Sequence, residues 1–120
     1  MARLGVPKTY KLYIGGKFPR SESGHTFEAK TPKGEFLANA ASASRKDARD
    51  AVVAARAAFP GFAGLTAYNR GQILYRIAEV LEGRRDQFVA EIRESEGVSS
   101  RAAGTQVDAA IDTWVWYAGF

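Results

Sequence analysis

Hydrophobic positions follow two different periods along this chain, and the change lies between Ala41 and Ser44. Tyr10, Leu12 and Ile14 alternate with Lys11 and Tyr13, the period of two of a strand. Gly15-Gly16 follows and accepts the positive φ angles of a tight hairpin turn. Lys17-Phe18-Pro19-Arg20 is the expected return strand, at a sheet edge because Pro19 donates no backbone hydrogen bond. After a loop at Ser21-Glu22-Ser23-Gly24, Thr26 to Lys30 alternates again with Phe27 and Ala29 on one side. Thr31-Pro32-Lys33-Gly34 predicts a turn and Glu35 to Ala41 a further strand. Residues 10–41 therefore predict two short hairpins, behind a flexible basic lead-in over residues 1–9.

From Ser44 the period is helical. Ser44 with Asp47 three residues on resembles a capping box. Ala48, Ala51, Val52, Ala55 and Phe59 then fall on one face, and Pro60-Gly61 predicts the end of the helix. Thr66 is the expected N-cap of a second helix carrying Ile73, Leu74, Ile77, Ala78 and Leu81, with Gly83 near its end. Phe88, Val89 and Ile92 lie in a third, stopped by Gly97 as C-cap. Ser99 or Ser100 opens a fourth, with Val107, Ala110, Ile111, Trp114, Val115 and Ala118 at the spacing of one helical face. Residues 44–120 are thus four helices, and the fold class is α+β.

These elements carry more apolar surface than they can bury among themselves. Short two-sided strands do not make a large sheet, and each helix needs a layer against its apolar stripe. The segment Trp114-Val115-Trp116-Tyr117-Ala118-Gly119-Phe120 is the most aromatic in the chain, and a helix ending in two Trp and a Tyr expects a partner surface. The layout predicts a segment that wraps the outside of a bigger domain.

Composition narrows the chemistry. Hydrophobic residues are 46% and charged residues 25%, ordinary values for a globular domain. There is no cysteine, which excludes disulfides, thiolate metal sites and Cys nucleophiles from this stretch. No apolar run reaches the roughly 18 residues of a membrane helix, and no signal-peptide h-region precedes Pro7. The net charge is +4. Residues 1–33 hold seven Lys/Arg against two acids, and residues 34–120 ten against eleven, so +5 and −1 make the total. The basic residues are scattered, unlike a nucleic-acid patch, so neither nucleic acid nor a membrane is an expected partner. His25, the only histidine, stands between Gly24 and Thr26 without a Cys, Ser or carboxylate cluster and reads as exposed and inert. Glu91, Glu94 and Glu96 read as a solvated helix face. Asp108 and Asp112, four apart, form a like-charge pair that prefers water or an Arg from a partner surface. Arg70, Arg76, Arg84 and Arg85 read as helix-surface charges. No phosphate-binding glycine pattern is present, and Gly15-Gly16-Lys17 reads as hairpin chemistry.

The order of these segments resembles the opening of the aldehyde dehydrogenase superfamily. Tyr13-Ile14-Gly15-Gly16-Lys17-Phe18 and Ser23-Gly24-His25-Thr26-Phe27 are similar to that family's first hairpin and the "Ser-Gly-x-Thr-Phe" after it. Thr31-Pro32-Lys33-Gly34-Glu35-Phe36-Leu37-Ala38 resembles its "Asn-Pro-Ala-Thr-Gly-Glu-Val-Leu-Ala", one residue shorter. The stretches Ala51 to Phe59 and Arg70 to Glu82 resemble its first two helices, and Trp116-Tyr117-Ala118-Gly119 the "Tyr-Tyr-Ala-Gly" that ends its fourth. Gly97-Val98-Ser99 in place of Gly-Lys-Pro, and Gly15 in place of the hairpin Asn, imply a divergent branch.

The resemblance implies that residues 10–120 are the incomplete N-terminal portion of an NAD(P)-dependent aldehyde dehydrogenase, part of its α/β Rossmann-like cofactor domain and truncated after Phe120. In the family a Cys thiolate attacks the aldehyde, hydride passes to NAD or NADP, and a Glu-activated water hydrolyses the thioester. Those residues come later in the family's chain, so no catalytic, cofactor-binding or metal residue is expected here and this segment alone is expected to bind no cofactor. The resemblance implies the rest of that chain as partner, a homo-oligomer when intact, and a cytoplasmic location. A non-catalytic dimerisation module using the Trp114/Trp116 face is the alternative.

Overall fold

The computed structural model describes residues 8–120. Residues 1–7 of the expected lead-in lie outside them. Thr9 does not belong to a lead-in: it starts the first strand, and the Lys8 carbonyl accepts a hydrogen bond from the Asn39 N–H at 2.8 Å.

The chain divides into two compact units, the first ending at Pro60. Three strands make its sheet: β1 (Thr9–Tyr10), β2 (Thr26–Lys30) and β3 (Phe36–Ala41). β3 is central, with β1 parallel on one side and β2 antiparallel on the other. The β2–β3 hairpin runs from Thr26 opposite Ala41 to Lys30 opposite Phe36, with an irregularity between Ala29 and Lys30. Its turn closes where the Gly34 N–H, at φ +85°, reaches the Thr31 carbonyl at 2.8 Å.

The first predicted hairpin is much shorter than its alternation suggests. It reduces to one bridge, Ile14 with Lys17, plus a 3.0 Å bond from the Leu12 N–H to the Pro19 carbonyl. Gly15 and Gly16 make the turn with φ of +61° and +77°, which a side chain would resist. Two causes shorten it. Pro19 has no N–H to return a second bond, and Tyr10 pairs instead with Ala40 of β3.

Helix α1 (Arg45–Ala63) begins at a capping box that does more than cap. The Asp47 carboxylate accepts from the Ser44 N–H at 2.9 Å, while Ser44 Oγ accepts from the Asp47 N–H at 3.2 Å. The same carboxylate accepts from Ser21 Oγ at 2.6 Å and from the Glu22 N–H at 3.1 Å. Asp47 thereby ties the loop before β2 to the start of α1. These hydrogen bonds, that from Ser21 foremost, lower its pKa to about 2. Helix α1 does not stop at Pro60, as expected, but runs three residues further. Proline there removes one donor from the ladder; Arg56, whose carbonyl loses that donor, and Pro60 itself are both exposed, so water can replace the bond.

The second unit holds α2 (Ala67–Gly83), α3 (Arg85–Glu96) and α4 (Ser100–Ala118). Thr66 caps α2 through a 3.1 Å bond from the Asn69 N–H, and Ser99 caps α4 through one of equal length from the Ala102 N–H. Gly97 ends α3 in the left-handed region at φ +69°. The Arg70 guanidinium donates to the carbonyls of Ala63 and Leu65, fixing the loop that leads into α2. Helix α4 packs on both α2 and α3.

Small residues make these helix contacts possible. The apolar residues buried among those described are Ala38 in the sheet and Ala78, Ala103 and Val107 in the helices, where Gly104 is buried too. A Cβ on Gly71 would run into the carbonyl oxygen of Ala118, so α2 and α4 touch backbone to backbone there. A Cβ on Gly104 would stand 2.8 Å from the Arg85 guanidinium, which lies across α4 to reach Asp108.

Two predictions follow from these contacts. Gly71→Ala in the intact protein lowers stability by about 1–3 kcal/mol, since overpacking against backbone outweighs the helix-propensity gain of about 1 kcal/mol. Gly61→Ala, in open space within α1, instead stabilises by about 0.5–1 kcal/mol. Urea unfolding of the pair decides it, and equal effects would remove the close approach. The second concerns Asp47, whose folded pKa is depressed, so its contribution is whole above 3.8 and is lost as pH falls through about 2. The Glu22 and Ser44 amide proton shifts should hold until that range is entered. A change already complete at 3.8 would show that Asp47 does not hold them.

Candidate functional site

The most distinctive surface of the second unit is apolar. Ile77, Val80 and Leu81 of α2, Phe88 of α3 and Trp114 of α4 line a shallow depression of about 370 Å³, with Arg76 and Arg84 at its rim. Helical spacing sets this composition: 77, 80 and 81 are one face of α2, with Arg84 just past its end, and 107, 111 and 114 are one face of α4. Val107 is buried and Ile111 half-buried, while Trp114 lies at the margin of the same stripe. The predicted apolar face of α4 is therefore real at its N-terminal end and open towards its C-terminal end.

Beyond it stands an aromatic cluster. Trp116 stacks on Phe120 with centroids 5.0 Å apart and planes 24° from parallel, and meets Tyr117 edge-on at 4.8 Å. Tyr117 and Phe120 lie 6.4 Å apart. These rings shield one another only partly: Trp116 is 59% exposed and Phe120 89%. Tyr117 and Phe120 also border a second hollow of about 250 Å³ with Phe62 and Leu74.

The polar groups are structural in their geometry. Asp108, expected in water or against a partner's Arg, is held by Arg85 of its own chain, Nε to Oδ1 at 2.7 Å and the terminal nitrogen to Oδ2 at 3.1 Å. This two-pronged bond lowers the Asp108 pKa and raises that of Arg85. Glu96 accepts from Gln106 at 3.2 Å and Glu91 from Gln87 at 3.5 Å. His25 is exposed in the loop before β2, where its N–H donates to Ser23 Oγ at 3.2 Å. Among the described residues no three His, Cys, Asp or Glu side chains gather as a metal site. The shifted carboxylates, Asp47 and Asp108, are both shifted downward, away from the range of a general base at neutral pH.

Two tertiary links escaped the reading of the sequence. Arg85 with Asp108 spans 23 positions and Ser21 with Asp47 spans 26. For the latter the capping-box spacing marked Asp47 as important but not as a long-range tie.

The chain is similar to an NAD-dependent aldehyde dehydrogenase from Sinorhizobium meliloti, with a TM-score of 0.88 and 24% identity over 95% of this chain and 24% of that one. An aldehyde dehydrogenase from Bacillus cereus superposes with a TM-score of 0.88 at 28% identity, covering 93% of this chain and 24% of its own. A salicylaldehyde dehydrogenase from Pseudomonas putida G7, solved with salicylaldehyde, gives 0.89 at 28% identity, with 93% and 23% covered. This chain thus spans about a quarter of the length of the structures it matches. The family model of the aldehyde dehydrogenases matches residues 18–120. The chain belongs to the aldehyde dehydrogenase family, as an N-terminal segment of that fold.

Proposed function

We propose that this chain is the bracing N-terminal part of an NAD(P)-dependent aldehyde dehydrogenase that oxidises an aldehyde to a carboxylic acid, and that the catalytic residues stand outside residues 8–120. The observation that carries this reading is the inversion of its burial. The apolar core among the described residues is three alanines and one valine, whereas twenty large apolar side chains are exposed, from Tyr10 to Phe120. Covering each of the larger ones is worth about 1.5–3 kcal/mol. A handful of such residues therefore equals the whole stability of a typical domain, about 5–15 kcal/mol. An uncovered surface of that size is a docking face.

We place no dinucleotide seat in this segment. Such a cofactor sets its pyrophosphate on free N–H groups at the helix that follows a strand. After β3 that helix is α1, and there the Ser44 and Asp47 N–H groups already bond to the Asp47 and Ser44 side chains. The glycines with positive φ lie in turns and at the end of α3, not at the start of a helix. Residues elsewhere in the intact enzyme would hold NAD or NADP. The same reading includes a cytoplasmic homo-oligomer of intact chains. Among the described residues no helix is long and apolar enough to cross a membrane.

The experiment is an assay of two polypeptides, residues 1–120 alone and the polypeptide from Met1 to its natural stop codon. With a panel of aldehydes and NAD or NADP, the 120-residue piece should give no rise in reduced-nucleotide absorbance, and the natural polypeptide should give one. Turnover by the short piece contradicts the reading. A 120-residue product that is the natural length and forms a compact dimer through Trp114 and Trp116 would establish the interaction-module alternative instead.

A further inference from the structure

A third pocket lies in the first unit. It lies at the end of the sheet, where the loop before β2 folds beside β1, and holds about 260 Å³. Thr9 and Lys11 border it from β1 and the residue after, Arg20 and Ser21 from the loop, and His25 and Thr26 from the start of β2. We propose that it binds a phosphate group carried on a small organic body.

Its charge is of one sign. Lys11 and Arg20 line it and no carboxylate does. A further ammonium, Lys8 Nζ, sits 4.5 Å from the centroid of the Tyr10 ring, and Tyr10 is also part of the wall. Asp47, behind Ser21, keeps its negative charge but is hydrogen-bonded to Ser21, Glu22 and Ser44 and to neither Lys11 nor Arg20. The Ser21 hydroxyl gives its proton to that carboxylate, so it is not a donor to the pocket. Other lining residues with donor side chains are Arg20, Lys11, His25, Thr9 and Thr26. A cleft lined by one sign concentrates the opposite ion. A guanidinium matches phosphate oxygens two at a time, and an ammonium adds a point charge.

Several donors from separate segments suit a tetrahedral dianion better than a planar carboxylate, which one guanidinium already satisfies. Size limits the rest of the ligand. The volume lies just below the roughly 300–1,000 Å³ of ordinary ligand pockets, so a phosphate with a few carbon atoms fills it. Tyr10 and Ala41 supply an apolar wall for that body. The inference rests on residues 8–47 and on this end of the sheet being open in the intact protein.

The test is calorimetric titration of glycerol 3-phosphate into the polypeptide from Met1 to its natural stop codon, with acetate at matched ionic strength as the carboxylate arm. One saturable site with a Kd of about 1 mM is expected. Arg20→Gln and Lys11→Gln should each weaken it about tenfold, and Lys33→Gln, in the β2–β3 turn, should leave it unchanged. All three positions are exposed, so the substitutions remove no buried packing. Amide shifts of Gly24, His25 and Thr26 on adding the phosphate to the unmutated protein give a second readout that needs no variant. Absence of saturable binding and of those shifts overturns the proposal, as does equal binding of acetate or an equal loss with Lys33→Gln.

Discussion

Close backbone approach at small residues is the constraint on which the helical unit depends. Gly71 lets α2 reach the carbonyl of Ala118, and Gly104 leaves room for the Arg85 side chain to cross α4. Ala78, Ala103 and Val107 fill what space is left. Helices that meet through such residues come close, but their contact buries little apolar area per residue. Large side chains cannot enter a seam of that width. They therefore stand outward, and the surface of the unit carries the Ile77, Val80, Phe88, Trp114 and Trp116 that a self-contained domain would place inside.

The first unit shows the same economy by a polar route. Its sheet has three strands, one of two residues, and small side chains at its centre. One buried carboxylate supplies much of its order, because Asp47 joins the cap of α1 to a loop 26 residues earlier. That group is hydrogen-bonded by Ser21, Glu22 and Ser44, and the adjoining pocket is lined by Lys11 and Arg20 without a carboxylate of its own.

Most local structure was legible in the sequence because it depends on neighbours in the chain. The caps at Ser44, Thr66 and Ser99, the stop at Gly97 and the β2–β3 hairpin each follow from residues within a few positions of one another. What escaped is non-local. Tyr10 leaves its own hairpin to lie parallel to β3, and no alternation encodes that choice of partner. Arg85 and Asp108 looked like separate surface charges until the packing of α3 on α4 brought them together. Pro60 looked like a terminator, yet an exposed helix tolerates one missing bond. The apolar candidate surface could be read from the 3.6-residue period of α4. The cationic pocket could not, since its walls come from β1, a loop and β2.

We propose that the outward aromatic face packs against more polypeptide of the same enzyme. Acrylamide quenching of tryptophan fluorescence tests it most directly, because Trp114 and Trp116 are the two tryptophans of the chain. With any tryptophan outside residues 1–120 replaced by Phe, both indoles should be strongly quenched in the 120-residue piece and protected in the polypeptide that runs to the natural stop codon. Equal protection in the piece alone, as a monomer with a sharp thermal transition, would contradict the account.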